Sequence, residues 1–364
     1  MAPLQAIRIQ LAGQRRLARL LGWLVLLSGL SSVVISLHAG PMLLAALSPA
    51  DLALVLQAVA ILGLLLIPIS GVISVTSQFA FWRGWLGGLP QPGDIFAGLA
   101  GAPPGTAETR CTIVYLDGIH QSERDHPPRV AAFLALLESR LPSHVRLFKG
   151  LETYTVTTAR LADDAGGSWF WRRLFALQEH HPNAWVGLIC AVLVQANNVI
   201  KVGISSDRRY GPILNYELAL KVAQRLADQG FLPGQDPGGR PQELVLLGYS
   251  GGGEMAMGMA EYLRRICRCP VRIMTFCGVF SGNQLLEQVG EIAMIVGDRD
   301  PVAAFGRIAY PGRSPLLPLS NWNKAVKRGQ VRRHRISGLS HNGLSGPFSD
   351  RYRTAVIEAI TSGL

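Results

Sequence analysis

The apolar positions of this chain follow two regimes. Near the start they run unbroken: residues 20–37 and 52–75 carry no charged side chain, and each is long enough to cross a hydrocarbon core of about 30 Å. Beyond residue 110 the apolar runs shorten and alternate with helical periodicity. Segments 111–116, 144–150, 243–248, 271–278, 291–297 and 331–337 read as strands. Residues 127–141 predict a helix opened by Pro127 and Pro128, with Val130, Phe133, Leu134 and Leu137 on one face. Further helices are predicted over 215–230, ended by Gly230, after Ser250, and over 349–360, capped by Ser349. Continuous apolar strands separated by helices predict an α/β domain with a mostly parallel sheet flanked by helices.

The first regime predicts a membrane anchor over 1–80 with two transmembrane helices. Arg8, Arg15, Arg16 and Arg19 precede the first span, and the linker between the spans has no Lys or Arg. By the positive-inside rule the N-terminus and the large domain lie on the cytoplasmic side, joined by a hairpin. Trp82 and Trp85 read as the interfacial belt at the end of the second span. Residues 81–109, rich in Gly, Pro and Ala, read as a tether, and 110–364 as the large domain.

Composition sharpens this picture. A formal charge of +11 with 49% hydrophobic residues over 364 positions points to an anionic partner. No zinc-finger spacing, RNP-like strand or basic heptad is present, so membrane lipid is the expected partner and nucleic acid is not. The five cysteines are an odd, scattered set without a CxxC pair, which argues against a disulfide scaffold or a zinc site. No cofactor or metal is expected.

The candidate chemistry collects at the strand ends. In "LGYSGGGEMA" an apolar strand ends in Ser250, walled in by Gly248, Gly251, Gly252 and Gly253, and a helix follows at once. A serine hydroxyl is a poor nucleophile unless a base takes its proton and donors receive the oxyanion. A sharp strand-to-helix turn projects such a serine from the sheet, and it leaves no room for side chains two residues before or after it; Gly248 and Gly252 supply that room. "GDRDPV" presents Asp298 and Asp300 at a later strand end. Asp300 is the preferred acid, and Asp298 stays open as the alternative. "GLSHNG" places His341 in a small-residue loop after the last strand, as the base. The Gly251 amide is one expected oxyanion donor. The second comes from the end of the first strand, "YLDGIHQ", where Ile119 is the expected donor and Gly118 permits close approach. Asp117 there is a turn-former or a supporting group.

With these motifs in the order Ser, Asp, His, the chain resembles the α/β-hydrolase superfamily over residues 110–364. "GYSGGG" stands as nucleophile elbow, "GDRDPV" as acid turn and "GLSHNG" as histidine loop. The resemblance implies a catalytic triad of Ser250, Asp300 and His341 in a serine esterase, lipase or thioesterase. Many lipases carry His-Gly at the oxyanion strand, where this chain has Asp117 and Gly118.

Residues 158–212 are more than the core fold requires and read as an insertion or lid. They contain Trp169, Phe170, Trp171 and Phe175 beside Arg172 and Arg173, then an apolar run from Ala184 too short to span. The sequence thus predicts a membrane-anchored serine hydrolase acting on a small-molecule or lipid ester or thioester. A catalytically silent hydrolase fold serving as a membrane-tethered binding module is the alternative from another class.

Overall fold

The computed structural model describes residues 92–97, 109–119, 126–151, 153–154, 184–231, 233–234 and 242–364, with single positions at 57, 72, 76 and 177. Apart from positions 57 and 72, the two expected spans lie outside the described residues. Among the described residues no helix is long and apolar enough to cross a membrane.

Six strands, β1 (Cys111–Leu116), β2 (Val145–Phe148), β3 (Glu243–Tyr249), β4 (Val271–Phe276), β5 (Ile292–Gly297) and β6 (Val331–Ile336), form one sheet in the order β2-β1-β3-β4-β5-β6. Every pairing is parallel. Side chains alternate across it, as a strand's period of two requires. Val114, Leu116, Leu244 and Leu246 enter one hydrophobic layer, while Ile113, Tyr115, Val245 and Leu247 enter the other. Burial on both faces is why these strands read as unbroken apolar runs. Edge strand β6 is the exception: four of its residues are exposed, and Arg332, Arg333, His334 and Arg335 blunt the open edge.

The helices are α1 (Pro92–Ala97), α2 (Pro128–Arg140), α3 (Ala184–Ser206), α4 (Gly211–Asp228), α5 (Gly252–Cys267), α6 (Pro301–Ala309), α7 (Asn321–Lys327) and α8 (Arg353–Thr361). Helices α2 and α8 cover one face of the sheet, and α4 and α5 the other. In α2 the buried residues are Val130, Phe133, Leu134 and Leu137, the face the periodicity predicts. Met255, Met257 and Met259 of α5 are core residues.

Four local expectations change. The tether holds α1, whose Ile95 is buried in the core beside α4, because an apolar pair at Ile95 and Phe96 finds a surface to cover. Helix α3 continues well past Gln195, since its polar second half bonds inward. Helix α8 starts at Arg353, and the Ser349 hydroxyl donates back to the Gly346 carbonyl rather than capping the helix. Helices α6 and α7, for which the sequence predicts no element, follow Asp300 and Ser320, whose side chains accept the amides of Ala303 and Asn323.

Candidate active site

The strand order reverses direction between β1 and β3, the switch point at which parallel α/β sheets leave a crevice beyond their carboxyl ends. Ser250 stands at that point. Its φ is +50°, in the left-handed region that an L-residue rarely adopts. The neighbouring glycines make this turn possible. A methyl on Gly248 would lie 2.6 Å from the Gly252 carbonyl oxygen, and one on Gly252 would strike the carbonyls of Leu116 and Asp117. The Ser250 carbonyl accepts from Gly253 and Val279, which pins the elbow to α5 and to the end of β4.

His341 Nε2 lies 2.9 Å from Ser250 Oγ, and its Nδ1 lies 3.0 and 3.1 Å from the two oxygens of Asp300. All three residues are buried. Burial pushes the Asp300 carboxyl up, but hydrogen bonds from His341 and from the Ala303 amide outweigh it and hold the group below its ordinary range. It is therefore a carboxylate at neutral pH, which places the proton on Nδ1 and leaves Nε2 facing the serine as acceptor.

Asp298, the alternative acid, is exposed and turned away. It accepts from the Gly338 amide at 2.6 Å and the Ser337 hydroxyl at 3.1 Å, tying the acid turn to the end of β6. The acid turn and the histidine loop also meet through the backbone, where Arg299 N–H donates to the Leu339 carbonyl. Any side chain at Gly297 would collide with that same carbonyl.

The loop after β1 packs directly on the elbow. A methyl on Gly118 would lie 3.1 Å from Ser250 Cβ, and one on Gly251 would lie 3.0 Å from Ile119 Cγ2. Gly251 and Ile119 are thus neighbours beside Ser250. Among the described residues neither amide donates to another backbone carbonyl.

Asp117 supports the site as the sequence allows, and several further supporting residues escape sequence reasoning. Asp117 accepts from the Tyr115 hydroxyl and the Gly118 amide through Oδ1, and its Oδ2 meets His126 Nδ1 at 2.9 Å. The Gly150 amide donates to His126 Nε2, so the proton of that ring sits on Nδ1 and is donated to Asp117. Asp117 is therefore both turn-former and anchor of this loop. Tyr154 donates to the Asp117 carbonyl, Lys201 of α3 donates to the Tyr154 carbonyl, and Asn198 of α3 donates to the Ile119 carbonyl at 2.7 Å. Tyr249 reaches from the elbow to the His341 carbonyl at 2.9 Å, and its ring stacks on the imidazole at 5.5 Å. The only signal available beforehand was position, for Asp117 and Tyr249, at a strand end.

The described residues include no group of three or more His, Cys, Asp or Glu side chains arranged to hold a metal ion. The five cysteines are unpaired and buried.

No protein-family model matches the chain, nor does any curated protein. Among solved structures it is similar to the crystal structure of a dienelactone hydrolase from Anabaena variabilis ATCC 29413. The identity is 13% and the TM-score 0.33, over 71% of this chain and 86% of that one. So distant a likeness transfers no activity; what stands on this chain's own geometry is a parallel α/β sheet flanked by helices, of the kind α/β hydrolases have.

Proposed function

We propose that the protein is a membrane-anchored serine hydrolase that cleaves an ester or thioester of an apolar acyl group through an acyl-enzyme. The observation that carries this reading is the unbroken hydrogen-bonded line from Ser250 through His341 to Asp300, with the serine held at positive φ. Ser250 Oγ attacks the substrate carbonyl carbon while His341 Nε2 takes its proton. The oxyanion is received by the amides of Gly251 and Ile119. Collapse of the tetrahedral species expels the alcohol or thiol, protonated by His341. Water, deprotonated by the same imidazole, then attacks the acyl-serine and frees the acid. Asp300 holds the ring in the tautomer that accepts at Nε2 and stabilises the imidazolium.

The apolar side chains of Ile119 and Val202, both beside Gly251, favour an apolar acyl group. The anchor rests on the two uncharged segments, and the cytoplasmic placement on the arginines before the first of them. The test is covalent labelling of the detergent-solubilised protein with a fluorophosphonate probe. Labelling of wild type that vanishes in Ser250→Ala and in His341→Ala is the expected result. A folded wild type that stays unlabelled refutes the proposal and favours the silent binding module.

A further inference from the structure

Helix α6 turns its apolar side outward. Its buried residues are Ala303 and Gly306, whereas Phe305 is 68% and Ile308 81% exposed. Positions 305 and 308 share the face opposite the core. The segment after the helix leaves Leu316 88% and Leu319 80% exposed. Single exposed leucines are ordinary. Four large apolar side chains left exposed on one helix and the segment that follows it are hydrated at a cost.

The surrounding charge identifies what covers it. From residue 301 to 349 the sequence has no Asp or Glu and eight Lys or Arg. Of these only Arg313 is buried, stacked on Phe280. Arg307 lies on α6 itself, and Lys324, Lys327 and Arg328 on and just after α7 are exposed. Exposed apolar side chains on a stretch that carries cations and no carboxylate of its own complement a bilayer of anionic lipid, which offers an apolar interior under a negative headgroup layer.

We infer that α6 and the turn behind it dock the large domain on an anionic bilayer, with Phe305, Ile308, Leu316 and Leu319 entering the boundary between headgroups and acyl chains. Arg307, Lys324 and Lys327 face the lipid phosphates. The docking itself does not depend on the proposed hydrolase activity, but its use does. Asp300 caps the first turn of α6, and Phe305 follows it by about 7 Å of helix rise. The docked face therefore sets Asp300 one to two helical turns along α6 from the lipid.

The native cysteines are buried, so an Ile308→Cys variant of the full chain takes a polarity-sensitive fluorophore at one exposed position. Reconstituted in vesicles of phosphatidylcholine with phosphatidylglycerol and a brominated lipid, this label should be quenched severalfold more than the same label at Glu358→Cys on α8. The excess should disappear at 1 M salt, where the screening length is about 3 Å, and in a Lys324→Glu, Lys327→Glu double variant. Equal quenching at the two positions overturns the inference, as does a label at 308 that is shielded from water yet unquenched, which would mean a protein cover. Quenching at 308 that ignores lipid charge also overturns it. Combining the label with Ser250→Ala separates the two proposals, because docking should persist when acylation is lost.

Discussion

Asp300 holds two structural positions at once, and substitutions separate them. Its Oδ1 accepts the Ala303 amide at 2.8 Å as the N-cap of α6, and both oxygens face His341 Nδ1. Asparagine caps a helix about as well as aspartate. In Asp300→Asn the oxygen keeps the Ala303 amide and the new NH2 points at Nδ1, which must then accept. The ring proton moves to Nε2, facing Ser250, and the base is lost. In a Ser-His-Asp site this tautomer error lowers kcat by about 10⁴, or about 5 kcal/mol of barrier. Stability should hardly change. Asp300→Ala loses the same activity and also the cap, about 1 kcal/mol, so its Tm should fall roughly 2–4 °C further for a domain of this size. Hydrolysis of p-nitrophenyl acyl esters, read beside thermal unfolding of the same preparations, distinguishes these outcomes. An Asp300→Asn protein with more than a tenth of wild-type kcat would refute the triad, and an Asp300→Ala protein as stable as Asp300→Asn would refute the cap.

Two other predictions follow from buried polar groups. Asn198→Leu removes the donor that holds the Ile119 carbonyl; kcat should fall about tenfold, a part of the 10²–10³ that a whole oxyanion donor commands. KM for a short ester should stay within twofold, and an equal loss on KM alone would contradict a positioning role. Glu254 is fully buried, and burial, opposed by its bonds to Ser281 and Gln284 and by the Arg313 charge, pushes its carboxyl up to about 7. The folded state therefore holds a proton that the unfolded state releases near its ordinary value, so stability should drop as pH rises from about 4.5 to about 7, by about 3 kcal/mol, and level off above. Glu254→Gln should flatten that part of the Tm-pH curve; a curve unchanged from wild type would remove Glu254 as its source.

Much of the sheet was legible because both its faces are covered, so β1, β3, β4 and β5 appear as apolar runs bounded by turn residues. The positions of Ser250, Asp300 and His341 were legible for a related reason: ligands of such sheets gather at strand ends, and the glycines around Ser250 answer a steric demand visible in the string. Asn198, His126 and Tyr154 gave no such sign. Each is an ordinary polar residue, and its contact with the β1 loop exists only once segments far apart in the chain have packed. Helix α6 stayed hidden because "PVAAFGRIA" directly follows a strand end, so its start reads as the tail of a turn. Its outward apolar face also breaks the rule that an apolar stripe marks the core side of a helix.

The order of the strands has a consequence for how the molecule comes into being. His341 follows Ser250 by 91 residues and Asp300 by 41, and it arrives with β6, the outermost strand at its edge of the sheet. Synthesis delivers the proposed nucleophile first, then its proposed acid and only then the proposed base. Contacts so distant in sequence carry the entropic cost of closing long loops. On the proposed reading, Ser250 stays an unactivated alcohol until β6 has paired with β5, so a nascent or half-folded chain should not be acylated there. Covalent labelling at Ser250 would then count finished molecules rather than chains.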